Sequence, residues 1–151
     1  MKNNIIVFVL ALLFSCTKTH KINHAQESVT MEVLKQLAPD IDFSQKQLTL
    51  IVPYDGCITC FKEAAALIPE VLQKQGLVIM PNSHKRFVTN TLEDLGIARD
   101  LVIIDTLQLS IKRNLVEGNP KIFLTENNKV VFSETVEYPT LERIEKVIAS
   151  N

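Results

Sequence analysis

Apolar and polar positions divide the chain into three regimes. Residues 5 to 14 (IIVFVLALLF) are an unbroken apolar run. Thr17 to Ser28 are polar, with Ile22 the only large apolar residue, and carry no periodic pattern. From Val29 onward the apolar positions recur at helix and strand periods. Val29, Met31, Val33, Leu34 and Leu37 predict a short helix stopped by Pro39. Gln47 to Tyr54 (QLTLIVPY) is apolar at nearly every step, which predicts a strand covered on both faces, and Pro53 confines that strand to the residues before it. Phe61, Ala64, Ala65, Ile68, Val71 and Leu72 then mark one face of an amphipathic helix, with Pro69 as an expected kink and Gly76 as an expected C-terminal cap. Leu77 to Met80 predicts a buried strand and Ser83 to Leu95 a second helix ended by Gly96. Leu101 to Ile104 predicts another strand, followed by an irregular segment with helical spacing around Leu107 to Leu115. Ile122 to Leu124 and Val130 to Phe132 flank Glu126, Asn127 and Asn128, the pattern of a hairpin. Leu141, Ile144, Val147 and Ile148 share one face of a closing helix, opened by Pro139 and with Thr140 as its expected cap.

Strands separated by helices, then a hairpin and a helix, describe an α/β fold with a mixed central sheet. A chain of 151 residues has room for one such domain, and no internal repeat divides it. Hydrophobic residues at 46% and charged residues at 22% are the balance of a globular protein, not a disordered one. A formal net charge of −1 leaves no Lys/Arg excess from which to build a nucleic-acid footprint, so that class of partner is excluded.

The amino terminus carries a separate message. Ten apolar residues make only about 15 Å of helix, half of a bilayer core, which argues for a secretory signal and against a permanent span. Leu13, Phe14, Ser15 and Cys16 resemble a bacterial lipobox, although Phe14 is bulkier than that pattern usually holds. The resemblance implies a signal peptide over residues 1–15, lipidation of Cys16, a flexible tether over 16–28 and a domain over 29–151. It places the protein in the cell envelope, anchored by acyl chains and facing the periplasm. The alternative is that Cys16 is a spectator thiol beside an ordinary cleaved signal.

Between the first domain strand and its helix lies Cys57-Ile58-Thr59-Cys60, a C-x-x-C pair. At a helix N-terminus, unpaired N–H groups and the helix dipole stabilise an anion, so the first thiol there ionises below its ordinary value. Cys57 is then the attacking thiolate and Cys60, one turn into the helix, the resolving thiol. Strand, C-x-x-C, helix and a late hairpin opened by Pro120 resemble the thioredoxin superfamily over roughly Gln47 to Ile148. Within it, the chain is most similar to the membrane-tethered periplasmic thioredoxin-like and redoxin proteins. These carry an extra strand and helix before the hairpin, and here Pro120 stands sixty residues after Cys60.

That resemblance implies a thioredoxin-like fold and thiol–disulfide exchange, with reduction favoured over oxidation and no cofactor. Its partners would be cysteine-containing exported proteins and a membrane electron donor. It also implies that Pro120 is the family's cis-proline and that Asn119 offers its backbone to a substrate's extended segment. The chain departs from the family in having no Trp, with Asp55 and Gly56 before the first cysteine. It also has no Pro between the cysteines and no acidic residue in the strand preceding them.

Two other readings of the pair remain. A structural disulfide closing so small a ring adds little stability. A metal site needs further ligands, and Cys16, His20 and His24 lie before the domain, which leaves His84 as the one candidate, as in copper-delivery proteins of the same superfamily. His84 reads equally as a solvated residue at a helix start. Tyr54, beside the turn, either packs on a substrate or closes the core.

Overall fold

The computed structural model describes residues 24–54, 58–82 and 85–151. The expectations on the signal peptide, Cys16, Cys57 and His84 fall outside these residues.

Five strands form one mixed sheet in the order β3-β2-β1-β4-β5. The strands are β1 (Gln47–Ile51), β2 (Leu77–Pro81), β3 (Ile103–Asp105), β4 (Lys121–Glu126) and β5 (Lys129–Thr135). β1, β2 and β3 run parallel, as their helical crossovers require, while β4 is antiparallel to β1 and β5 to β4. The helices are α1 (His24–Leu37), α2 (Ile58–Gln73), α3 (Lys85–Asp94), α4 (Leu109–Lys112) and α5 (Leu141–Ala149). The predicted order of elements holds throughout.

Strand alternation divides the core into two clusters. Leu48, Leu50 and Val52 of the β1 segment, with Val78, Met80, Ile122 and Leu124, meet Ala64, Ile68 and Val71 of α2 and Ile144 and Ile148 of α5. Ile51, Ile79 and Phe123 point the other way, against Met31, Val33 and Leu34 of α1 and Phe43. Burial on both faces accounts for Leu48, Leu50 and Ile51 in β1, with Thr49 as the buried polar exception.

Helix ends differ in detail from the sequence reading. Gly76 does not occupy the left-handed position after α2; Gln75 does, at φ 57°. Gly76 N–H donates to the Val71 carbonyl at 2.8 Å and Gln75 N–H to that of Leu72 at 3.0 Å, the two bonds of a Schellman closure. Gly76 is needed for a different reason: a Cβ there would lie 2.6 Å from Val71 Cγ1 and 2.8 Å from the Val71 carbonyl oxygen. Gly96, at φ 67°, does cap α3 as predicted.

The helical spacing of Leu107 to Leu115 yields only the single turn of α4, because Gln108 and Asn114 adopt φ 55° and 56° and close it at both ends. Buried Asp105 holds that turn, accepting the N–H groups of Leu109 and Ser110 at 2.9 Å and the Ser110 hydroxyl at 2.8 Å. Thr140 makes no side-chain cap on α5. Its hydroxyl instead donates to the Thr135 carbonyl at 2.6 Å and accepts the Glu137 N–H at 3.2 Å, which fixes the turn ahead of the helix. The hairpin turn is a two-residue type I′ loop, with Asn127 and Asn128 at φ 53° and 58°.

α1 begins at His24, so residues 24–28 belong to a helix and not to the expected tether. Polar contacts hold this extra turn: Gln26 donates to the Asn114 carbonyl at 3.2 Å and the Thr30 hydroxyl to the Gln26 carbonyl at 2.8 Å. Such contacts leave no trace in hydrophobic spacing.

Gly76→Ala is expected to cost about 1–3 kcal/mol, since Val71 and its backbone must move to admit a methyl group. Urea unfolding followed by circular dichroism measures the cost; an unchanged midpoint would show that the close approach is not tight.

Candidate functional site

The site is assembled at the C-terminal end of β1. Val52 N–H extends the ladder beyond β1, donating to the Ile79 carbonyl at 2.9 Å. Buried Pro53 then ends the strand, having no donor to offer. Tyr54 is 40% exposed and packs edge-on against Phe61, ring centroids 5.3 Å apart at 77°. The contact with Phe61 fits the expected role of closing the core at the mouth of α2, while the rest of the ring stays exposed.

α2 starts at Ile58, whose side chain is 75% exposed, and Thr59 is exposed beside it. Cys60, half-buried in the first turn, is disulfide-bonded. The other two cysteines of the chain are Cys16 and Cys57, both outside the described residues.

The partner strand supplies the second half of the site. Ile51 pairs with Lys121 across the antiparallel β1–β4 ladder, so the next step along β1, Val52, faces Pro120. Pro120 and Asn119 therefore stand on the sheet edge from which the chain leaves β1 for Cys60. Pro120 is buried, and its carbonyl accepts the Val136 N–H at 2.8 Å. Gly118, at φ 85°, turns the chain into this corner. The described residues contain no cis peptide bond, so Asn119–Pro120 is trans, unlike the cis-proline the resemblance implied. A trans bond is the ordinary state of an X-Pro pair.

Beside Asn119 opens a cleft of about 260 Å³, lined by Asn114 to Glu117, Asn119, Lys121 and Thr135. Lys121 is its one cationic lining residue and is half-buried, its Nζ 5.4 Å from the centre of the Phe123 ring. Burial pushes the Lys121 ammonium below its ordinary value of 10.5, against the opposing pull of Glu117 and Glu134. Sequence reasoning passed over this lysine. The signal was its place in the alternation: Lys121 is in phase with Phe123 and Thr125, both buried, where a core-facing side chain belongs.

No three metal-ligating side chains cluster among the described residues. No helix among them is long and apolar enough to cross a membrane. His24 is the first residue of α1, with Nδ1 3.4 Å from a Glu27 carboxylate oxygen.

No protein-family profile and no curated protein matches the sequence. Solved structures do match the fold. A thioredoxin-like protein from Parabacteroides distasonis superposes with a TM-score of 0.53 at 11% identity, over 72% of this chain and 83% of its own. A secreted disulfide oxidoreductase of Mycobacterium tuberculosis, homologous to E. coli DsbE, gives 0.52 at 13% identity over the same shares. Together with the strand order, these define a thioredoxin-like fold: a mixed five-stranded sheet flanked by helices, with β3 and α4 before the hairpin.

Lys121 supplies a test of this corner. Its lowered value means that the unfolded chain binds the proton more tightly than the folded one between the folded value and 10.5. Stability contributed by this group therefore rises as pH rises through that window. Relative to Lys121→Met, the wild-type protein is expected to gain stability between pH 7 and pH 10, read from urea midpoints at each pH. A constant difference would show that the lysine is not desolvated.

Proposed function

We propose that the protein is a thiol–disulfide oxidoreductase of the cell envelope, working through Cys57 and Cys60. The observation that carries this reading is the disulfide-bonded Cys60 in the first turn of α2, on the sheet edge that also holds Asn119 and Pro120. The fold shared with disulfide oxidoreductases supports it.

In the reducing direction Cys57 attacks as thiolate, aided by the free N–H groups and dipole at the start of α2. Its sulfur bonds to one sulfur of the partner's disulfide; that S–S bond breaks, and the second partner sulfur leaves as a thiolate and takes up a proton. Cys60, deprotonated in turn, attacks the Cys57 sulfur of the mixed disulfide. The partner's first sulfur leaves with the electron pair, and an oxidised Cys57–Cys60 pair remains. A membrane-bound dithiol donor must then restore both thiols. Asn119 offers main-chain groups to the partner's extended segment, in the manner of strand addition at an open edge.

Substrates on this reading are cysteine-containing exported proteins. A lipid on Cys16 would hold the domain at the periplasmic face of a membrane.

Insulin-disulfide reduction tests the reaction. Wild-type turnover is expected to vanish in Cys57→Ser and in Cys60→Ser, and only Cys60→Ser should retain a mixed disulfide with its partner on a non-reducing gel. Equal rates in all three proteins would leave a non-catalytic binding or copper-delivery module as the better account. Anchoring has its own test: expressed with its leader in a bacterium, the Cys16→Ser protein is expected to move from the membrane pellet to the soluble fraction. Retention in the pellet would show that Cys16 is not the anchor.

A further inference from the structure

The cleft beside Asn119 contains a cation that the fold has not neutralised. Among the described residues, Lys121 makes no ion pair, and the two carboxylates that bear on it are both otherwise placed. Glu134 is held by Arg143 at 3.1 Å, on the far side of β5's end. Glu117 lines the cleft but is exposed to solvent. The β4 ladder fixes the backbone of Lys121, and its half-buried side chain places Nζ 5.4 Å from the centre of the Phe123 ring. A half-buried ammonium in such a cleft is worth more to an anion than a solvated one, because the surrounding medium screens the attraction less.

We propose that this cleft is a specificity subsite that receives a carboxylate of the partner polypeptide on Lys121. Two features select a carboxylate over other ligands. Lysine provides three donors and no acceptor. The volume of about 260 Å³ suits one side chain or a chain end, not a folded element. Asn119, on the rim, ties the subsite to the edge where the partner's main chain would lie. Glu117 on the same rim tunes the selection, since it repels a carboxylate that does not reach Lys121. An Asp or Glu side chain and a chain terminus both present this group. The inference rests on the redox reading for where the partner's chain runs, while the carboxylate contact can be measured without any redox step.

Two measurements separate the failure of each idea. In the first, the oxidised full-length domain is titrated with cysteine-free tetrapeptides while backbone amide shifts of residues 117–121 are followed. A Glu-containing, C-terminally amidated peptide is expected to shift them, as is a Gln-containing peptide with a free C-terminus; a Gln-containing amidated peptide should not. Lys121→Gln should abolish the response to both acidic probes. Response to only one acidic probe identifies the source of the carboxylate. Identical shifts for all three peptides, none for any, or an undiminished response in Lys121→Gln would overturn the proposal, whatever the cysteines do.

In the second, the same peptides carrying a disulfide serve as substrates. The ratio of kcat/KM for Glu over Gln peptides is expected to fall roughly tenfold in Lys121→Gln, the lower end of what a hydrogen bond to a charged group contributes. It should rise about threefold in Glu117→Gln, as for removal of one exposed like charge. Turnover with the same ratio in all three proteins sinks the subsite and leaves the oxidoreductase intact. An absence of turnover beside carboxylate-dependent shifts sinks the oxidoreductase and leaves the subsite.

Discussion

Everything in the proposed site depends on the antiparallel ladder between β1 and β4. β1 is the middle strand, hydrogen-bonded to β2 on one side and β4 on the other, and buried on both faces. Its five pairs with β4, from Gln47 with Thr125 to Ile51 with Lys121, leave no freedom of register. A slip of one residue would turn Ile122 and Leu124 away from α2 and α5 and drive Lys121 and Thr125 into that core. The hydrophobic pattern of β4 thus determines that Pro120 and Asn119 arrive beyond the C-terminal end of β1. Chemistry assigned to residues sixty positions apart becomes local through that single register.

The sheet's asymmetry gives this edge its character. On one face α2 and α5 close the core with aliphatic side chains. On the other, α1 and the irregular segment before β4 cover the sheet incompletely at its end, and the cleft beside Asn119 opens there. Short left-handed corners at Gln108, Asn114 and Gly118 shape that segment. Buried Asp105 pins its first turn. The result is a rigid scaffold carrying loops that can differ between relatives of the same fold without disturbing the core. Structures of the same architecture share only 11% and 13% identity with this chain.

Within the site, the disulfide at Cys60 and the lysine at the head of β4 play different parts. On the proposed reading, the helix start and the groups around the sulfur pair set its reactivity. Which partner is accepted depends instead on the surface around it. Here that surface combines exposed Ile58 and the outward part of Tyr54 with a polar cleft holding one desolvated ammonium. On the proposed reading, apolar contact would favour extended polypeptide in general, and the ammonium would add a preference among such chains.

Local order was legible in the chain itself. The apolar run of β1, the face of α2 and the face of α5 are all set by neighbours a few positions apart, and each appears where its period predicts. The same is true of Cys60 in the first turn of α2, since a strand before it and a helix around it are both local patterns. The Asn-Asn hairpin is legible too, because two residues that tolerate positive φ stand between two strand patterns. Helix ends were less legible: a glycine was visible, but Gln75 and Asn114 took left-handed positions that their sequences do not announce. What only the tertiary structure decided involves residues distant along the chain. The strand order, the trans state of Asn119–Pro120, the first turn of α1 tied to Asn114 and the half-burial of Lys121 all depend on groups far away in sequence. Periodicity reports which face of an element is apolar, whereas desolvation of one amine is set by whatever the fold places around it.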